Sequence, residues 1–123
     1  MIEKYFNEIE YAISYFRNIR TYSLIKKIYN DKQGYISGTI IFDDDSILEF
    51  TKVKDIDIQP KLKYRYHYMD MKYELIFRYN NAKHHKEIIT YPHHKHQTAE
   101  VLESSEINLF DVLLEIEQIK RKD

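Results

Sequence analysis

The chain has 123 residues, a length typical of one domain spanning residues 1–123. An apolar share of 43% and an aromatic share of 15% argue against disorder, and a net charge of −1 gives no general attraction to nucleic acid. Without cysteine and with two glycines, the sequence excludes disulfides, thiol nucleophiles, cysteine-bound metals and glycine-rich phosphate loops. Its apolar runs are far shorter than the about twenty residues of a membrane span, and its first residues lack a signal-peptide pattern. We therefore expect a cytoplasmic protein without a membrane segment.

A helix is predicted at the beginning of the chain, from about Ile2 to Ile19, because apolar residues recur there every three or four positions. From Thr21 the apolar period changes to two, which is typical of half-buried strands. The predicted strands run over about Thr21–Ile28, Tyr35–Phe42, Ile47–Val53, Lys61–Tyr68 and Glu74–Asn80. Residues 81–98 are predicted to be irregular.

The fourth predicted strand alternates most regularly, with tyrosines on one side and cations on the other. The tyrosines are expected to pack between the sheet and the helices. A hairpin loop of even length, Asp70–Tyr73, keeps them on the same face as the aromatic residues of the fifth strand. This loop predicts that Arg65 lies opposite Arg78, with His67 on the same face. Two like charges at neighbouring positions repel each other unless an anion lies between them.

A second helix is predicted near the end of the chain, with Asn108 as its N-cap. Asp111 stands three residues later, as in a capping box, and Ile107 and Val112 have the spacing of a hydrophobic staple. The sequence therefore predicts an α+β fold. We expect an antiparallel meander of about five strands with an N-terminal and a C-terminal helix packed on one face.

Positive charge and histidine are concentrated in the middle of the chain. Residues 61–96 carry 8 Lys and Arg against 3 Asp and Glu, whereas residues 1–60 carry 8 against 10 and residues 97–123 carry 3 against 7. All six histidines lie in the same middle segment. We expect the functional site there, on the face of the fourth and fifth strands that is turned away from the helices, with the histidine-rich loop folded over it.

Four interpretations of the histidines remain open. They could transfer protons, because the pKa of imidazole lies near 6.5 and one ring can accept a proton while another donates one. They could bind a divalent metal, although no spacing typical of a zinc site is present. They could form a docking surface for a protein or a polyanion. Finally, they could be structural residues that cap the ends of strands.

Proton transfer would suit RNA cleavage without a metal or another cofactor. One group deprotonates the 2′-hydroxyl, another protonates the leaving 5′-oxygen, and a cation stabilises the charge on phosphorus. The catalytic candidates are His67, Arg78, His84, His85, His93, His94, Lys95 and His96. The substrate-binding candidates are Arg65, Tyr79, Asn80, Asn81 and Lys83.

Three stretches of the middle segment resemble the TumE family, which is described as the toxin component of prokaryotic toxin–antitoxin pairs. They are Tyr64–Asp70, Glu74–His85 and Tyr91–His96, and they resemble the family pattern Y-x-Y-H-Y, then L-I-F-R-Y-D-N-A-P-H-H-P, then F-P-H-H-K-H. The first helix, the meander and the acidic last helix are also similar, so the resemblance covers nearly the whole chain. It implies the toxin of a type II-like toxin–antitoxin pair, with a cognate antitoxin protein as its partner.

The sequence departs from the family pattern at three positions that matter, and Tyr91 in place of Phe is a mild further departure. Asn80 stands where the family usually has Asp, and Lys83 and Lys86 stand where it usually has Pro. An Asp beside a histidine would stabilise its charged form, whereas an Asn carries no charge. Glu74 and Glu87 are then the candidates for a substituting carboxylate. The expected function is a toxin that acts as a metal-independent ribonuclease; the alternative is a non-enzymatic module whose basic surface docks a protein or nucleic-acid partner.

Overall fold

The computed structural model describes residues 1–57, 63–81, 94–97, 100–103 and 107–121. Along the chain, one helix precedes a series of strands and a second helix follows it. In order, the elements are α1 (Ile2–Tyr15), β1 (Ile19–Ile28), β2 (Gln33–Phe42), β3 (Ile47–Asp55), β4 (Lys63–Met69), β5 (Leu75–Asn80), β6 (His94–Gln97), β7 (Glu100–Glu103) and α2 (Leu109–Arg121). This order confirms the predicted α+β fold with an N-terminal and a C-terminal helix.

The strands form one antiparallel meander, as predicted, in the order β1-β2-β3-β4-β5-β6-β7. The sheet has two short strands more than expected. They are β6 and β7, which come from a part of the sequence without regular apolar alternation and pair with each other as a hairpin. The prediction of irregular structure over residues 81–98 was therefore wrong for residues 94–97. This matters for the candidate site, since His94 and His96 lie in the sheet next to β5 and not in a loop folded over it.

Helix α1 is shorter than predicted and ends at Tyr15. Phe16 has extended backbone angles (φ −96°, ψ 121°) but stays buried, and Ile19 already begins β1. The apolar stripe therefore continues through the turn after the helix, so its period alone places the boundary too late. The backbone N–H of Asp43 donates to the carbonyl of Asn18 (3.0 Å), which fastens this turn to the β2–β3 connection.

The helices cover one face of the sheet, where the tyrosines of β4 lie in the core. Tyr64, Tyr66 and Tyr68 are at most 1% exposed, which confirms their predicted packing between the sheet and the helices. The side chains at the alternate strand positions project from the opposite side of the sheet, which we call the open face. Its residues include Lys27, Tyr35, Glu49, Thr51, Val53, Lys63, Arg65, His67, Arg78, Asn80 and His96.

The pairing register of β4 and β5 differs from the predicted one by two residues. Arg65 pairs with Asn80, and His67 pairs with Arg78, so the prediction that Arg65 lies opposite Arg78 was wrong. The reason is the connection between the strands, residues 70–74, which is longer than expected and accompanies a register irregularity at the end of β4. Because a shift of two residues preserves the alternation, the predicted faces of both strands are nevertheless right.

Helix α2 begins with the predicted capping box. Oδ1 of Asn108 accepts a hydrogen bond from the backbone N–H of Asp111 (2.9 Å), and Oδ2 of Asp111 lies 3.5 Å from the N–H of Asn108. Further along the helix, Glu115 accepts hydrogen bonds from the Tyr79 hydroxyl and from Nζ of Lys95, the latter at 2.8 Å. These contacts attach α2 to β5 and β6.

We expect Asn108→Ala to lower the free energy of unfolding by about 1 kcal/mol, because a backbone donor in the first turn of α2 loses its acceptor. Asn108→Ser keeps an acceptor oxygen and should retain most of the stability. Urea denaturation followed by circular dichroism measures both variants. Equal stability of the alanine variant and the unsubstituted protein would contradict the capping role.

Candidate functional site

Four polar residues of the open face lie side by side across four strands. Glu49 of β3 is the cross-strand neighbour of His67 on β4. His67 in turn lies opposite Arg78 on β5, and Arg78 lies opposite His96 on β6. Directly opposed residues of an antiparallel pair have Cβ atoms about 5 Å apart. The sheet thus brings an acid, two imidazoles and a guanidinium into one line, which we call the His67 row.

A second row occupies the adjacent open-face positions. Thr51 of β3 pairs with Arg65 of β4. Arg65 pairs with Asn80 of β5, which in turn lies opposite His94 of β6. Arg65 and Arg78 are therefore diagonal neighbours, a relation in which residues are about 7–8 Å apart. A phosphate bound between them could contact both guanidinium groups.

His67 is half-buried, and its surroundings oppose protonation. Burial lowers the pKa of His67 below its ordinary value of 6.5, and the charges of Arg65 and Arg78 lower it further. The carboxylate of Glu49 acts in the opposite direction, but it is the smallest of these influences. His67 is therefore mainly neutral at pH 7, the state that a general base requires.

Arg78 shares this environment. Burial, followed by the nearby charge of Arg65, lowers the pKa of its guanidinium, which still stays protonated at pH 7. Two buried nitrogen atoms, Nδ1 of His67 and Nε of Arg78, have no hydrogen-bond partner within the part of the chain that the structure describes. Because the great majority of buried polar atoms in proteins are hydrogen-bonded, a water molecule or a bound ligand would satisfy these two.

His67 and His96 lie on either side of Arg78. Neighbouring strands are about 4.8 Å apart, so the Cα atoms of these two histidines are separated by about 10 Å. A phosphate bound to Arg78 would have one imidazole on each side. Acid–base cleavage of a phosphodiester uses two proton-transfer groups with a cation between them, and this order of residues is compatible with that chemistry.

Three of the predicted site residues are not in these two rows. Tyr79 and Lys95 occupy the alternate positions of β5 and β6 and face α2, where both contact Glu115. Burial and the hydrogen bond to Glu115 raise the pKa of the Tyr79 hydroxyl, and Nζ of Lys95 lies 5.0 Å from the centre of the Tyr79 ring. Asn81 is buried, and its Oδ1 accepts a hydrogen bond from the backbone N–H of Tyr64 (3.0 Å). These contacts join secondary-structure elements, and the sheet separates Tyr79 and Lys95 from the His67 row.

Other predicted site residues, Lys83, His84, His85 and His93, lie outside the described residues. Within the described ranges, no three His, Asp or Glu side chains are close enough to hold a metal ion together.

Glu49 was absent from the residues that sequence analysis selected. The alternation of the third strand already placed it on the open face, away from Leu48 and Phe50. Its position beside His67, however, depends on the β3–β4 register, which the sequence pattern did not predict. Sequence analysis considered two other carboxylates as substitutes for the family's Asp. Of these, Glu74 is exposed in the β4–β5 loop, and Glu87 lies outside the described residues.

The family model of toxin TumE matches residues 9–120, which is nearly the whole chain. The chain belongs to the toxin TumE family. No curated protein and no solved structure matches it. The match confirms the resemblance seen in the sequence and includes every residue of the His67 row.

Neither α1 nor α2 of this TumE-family protein has the length and apolarity that crossing a membrane would require.

We predict that the pKa of His67 lies below 6.5 in this TumE-family protein. Arg65→Gln should raise that pKa because it removes a nearby positive charge, and Glu49→Gln should lower it because it removes a negative one. NMR titration of the imidazole resonances measures both shifts. Arg20→Gln, an exposed position that pairs with Asp45, is the control and should leave the His67 pKa unchanged. Shifts of the same sign in the first two variants would contradict this arrangement of charges.

The same pKa determines how His67 affects stability. Its folded-state pKa is lower than its pKa in the unfolded chain, so the unfolded chain binds the proton more readily. The contribution of His67 is therefore fully present above about pH 6.5 and is lost as the pH falls through the lowered pKa. Denaturation of His67→Gln should show a weaker loss of stability over this pH range than the unsubstituted protein.

Proposed function

We propose that this toxin cleaves RNA on its open face by histidine acid–base chemistry, without a metal ion. The observation that carries the proposal is the direct opposition of a half-buried histidine and an arginine, His67 and Arg78, each with a buried nitrogen that lacks a partner in the described chain. Membership of a toxin family supports a damaging activity. RNA is the substrate class that suits these groups, because its own 2′-hydroxyl supplies the nucleophile.

In the proposed reaction, His67 accepts the proton of the 2′-hydroxyl while the 2′-oxygen forms a bond to phosphorus. The bond between phosphorus and the 5′-oxygen breaks, and protonated His96 donates its proton to that oxygen. The products are a 2′,3′-cyclic phosphate and a 5′-hydroxyl, so the step consumes no further reactant. Arg78 stabilises the negative charge that develops on the phosphoryl oxygens, and Arg65 binds a neighbouring phosphate.

His96 is the preferred acid because the sheet places it beside Arg78. The other candidates for the acid are His84, His85, His93 and His94. Lys95, although it stands between two histidines in the sequence, is paired with Glu115 on the other side of the sheet and has no role in the proposed reaction.

His67→Ala and His96→Ala should each lower the cleavage rate by roughly 10²–10⁴, as expected for the loss of one general base or acid. The pH–rate profile of the unsubstituted protein should be bell-shaped, and each variant should lose one limb. Cleavage of a labelled RNA over a range of pH measures this, and thermal denaturation verifies that the variants are folded. Arg20→Ala is the control outside the site and should cleave at the normal rate.

Two results would contradict the proposal. The first is activity that survives every single histidine substitution. The second is activity that EDTA abolishes and that Zn²⁺ or Mn²⁺ restores, because the histidines would then act as metal ligands. Binding of RNA by the unsubstituted protein without any cleavage would favour the alternative function, a module that docks RNA.

A cognate antitoxin is the partner that the toxin family suggests, and we propose that it covers the cationic segment 61–96. The excess of 8 Lys and Arg over 3 Asp and Glu in this segment favours an acidic partner surface. The association rate should therefore fall steeply as the ionic strength rises. Stopped-flow measurements with the protein encoded beside the toxin would test this, and a rate independent of salt would contradict it.

A further inference from the structure

The open face extends from the His67 row toward β2, where Tyr35 is placed. Tyr35 lies opposite Val53 of β3, and Val53 lies opposite Lys63 of β4. On its other side Tyr35 pairs with Lys27 of β1, whose Nζ is 6.0 Å from the centre of the tyrosine ring. The ring is thus bordered by an aliphatic side chain and by a lysine.

Packing in the hydrophobic core does not explain why a tyrosine stands at position 35. The tyrosines of β4 and Tyr79 of β5 face the helices and are buried, whereas Tyr35 projects from the opposite side of the sheet and is partly exposed. Among the described strand residues of the open face, it is the one aromatic side chain. A partly exposed aromatic ring on the open face of a sheet can accept a stacked planar group such as a base.

A line of cations connects Tyr35 with the His67 row. Lys63 and Arg65 occupy successive open-face positions of β4, and both side chains are exposed. Arg78 follows as the diagonal neighbour of Arg65 on β5. Asp55, an acid near Tyr35, accepts a hydrogen bond from Gln33 (2.7 Å) at the end of the strand pair. The line therefore offers successive positive charges to a chain of phosphates.

We propose that Tyr35 is a base-stacking position and that the substrate is single-stranded RNA. The inference rests on the proposed function, which it extends by naming the form of the RNA. The phosphates follow Lys63 and Arg65 to Arg78, and one base stacks on the ring of Tyr35 against Val53. Duplex RNA does not fit this role, because its bases are stacked on each other and cannot be offered to a protein ring.

The strand geometry also determines where that base lies in the substrate. Tyr35 and Arg78 are three strands apart and two open-face positions apart along the strands, which corresponds to about 20 Å between Cα atoms. The stacked base therefore belongs to a nucleotide several positions from the phosphate that is cleaved. A substrate shorter than this distance would lose the stacking contact and keep the contacts to Arg78.

Equilibrium binding of a fluorescent 2′-O-methyl RNA strand tests the proposal without interference from cleavage. Tyr35→Ala should weaken binding by about 5- to 150-fold, the range expected for one base stacked on an aromatic ring. Tyr35→Phe keeps the ring and should bind normally, whereas Tyr35→Leu keeps apolar bulk without the aromatic ring and should bind weakly. Tyr11→Ala, at a tyrosine of α1 that is 74% exposed, is the control and should have no effect.

The outcomes separate this inference from the proposed function. If the unsubstituted protein binds the single strand and both Tyr35→Ala and Tyr35→Leu bind it equally well, the stacking role alone is overturned. An equal loss of affinity for a duplex of the same sequence would also overturn it, because a general effect on charge or folding would then be responsible. If the unsubstituted protein binds no RNA at all, the proposed function fails and the stacking role fails with it.

Discussion

The alternation of side chains along β4 is the constraint on which the rest of the structure depends. Its three tyrosines are almost completely buried beneath the helices, and aromatic residues dominate core packing because each buries about 150–250 Å². Since neighbouring side chains of a strand point to opposite faces, this burial directs Lys63, Arg65 and His67 to the open face. The charges of the site are therefore grouped as a consequence of how the core packs, and the core supplies the stability that holds them together.

The open face contains polar groups whose surroundings are energetically unfavourable. Burial and a like charge lower the pKa of both His67 and Arg78, and each has a buried nitrogen without a partner in the described chain. A buried polar group without a hydrogen bond costs about 1–3 kcal/mol. A bound phosphate would offset both effects, because its oxygens accept hydrogen bonds and its charge compensates the arginines. Local instability of this kind is expected where a protein is arranged for a ligand.

The sequence pattern predicted those features of the fold and site that depend on local periodicity. They include the strands up to β5, the capping box of α2 and the common face of His67 and Arg78. It did not predict which residues pair across β4 and β5. The partner of Arg65 depends on the loop between these strands, whose turn is held by hydrogen bonds to Asp70, and such bonds leave no apolar pattern in the sequence. The strand β6 was missed for a related reason, since four residues that pair over a long sequence distance show no period. Lys95 was grouped with its histidine neighbours, but alternation within β6 turns it toward α2.

Asn80, which stands where the family resemblance places an Asp, changes the balance of charge in the site. The residue is buried opposite Arg65, so a carboxylate here would pair with that guanidinium. A neutral amide leaves the charge of Arg65 undiminished, and that charge lowers the pKa of both His67 and Arg78. The carboxylate next to His67 is instead Glu49, which is exposed and has a weaker effect because solvent screens it. The substitution therefore favours the neutral form of His67 and leaves no acid at position 80 to neutralise Arg65.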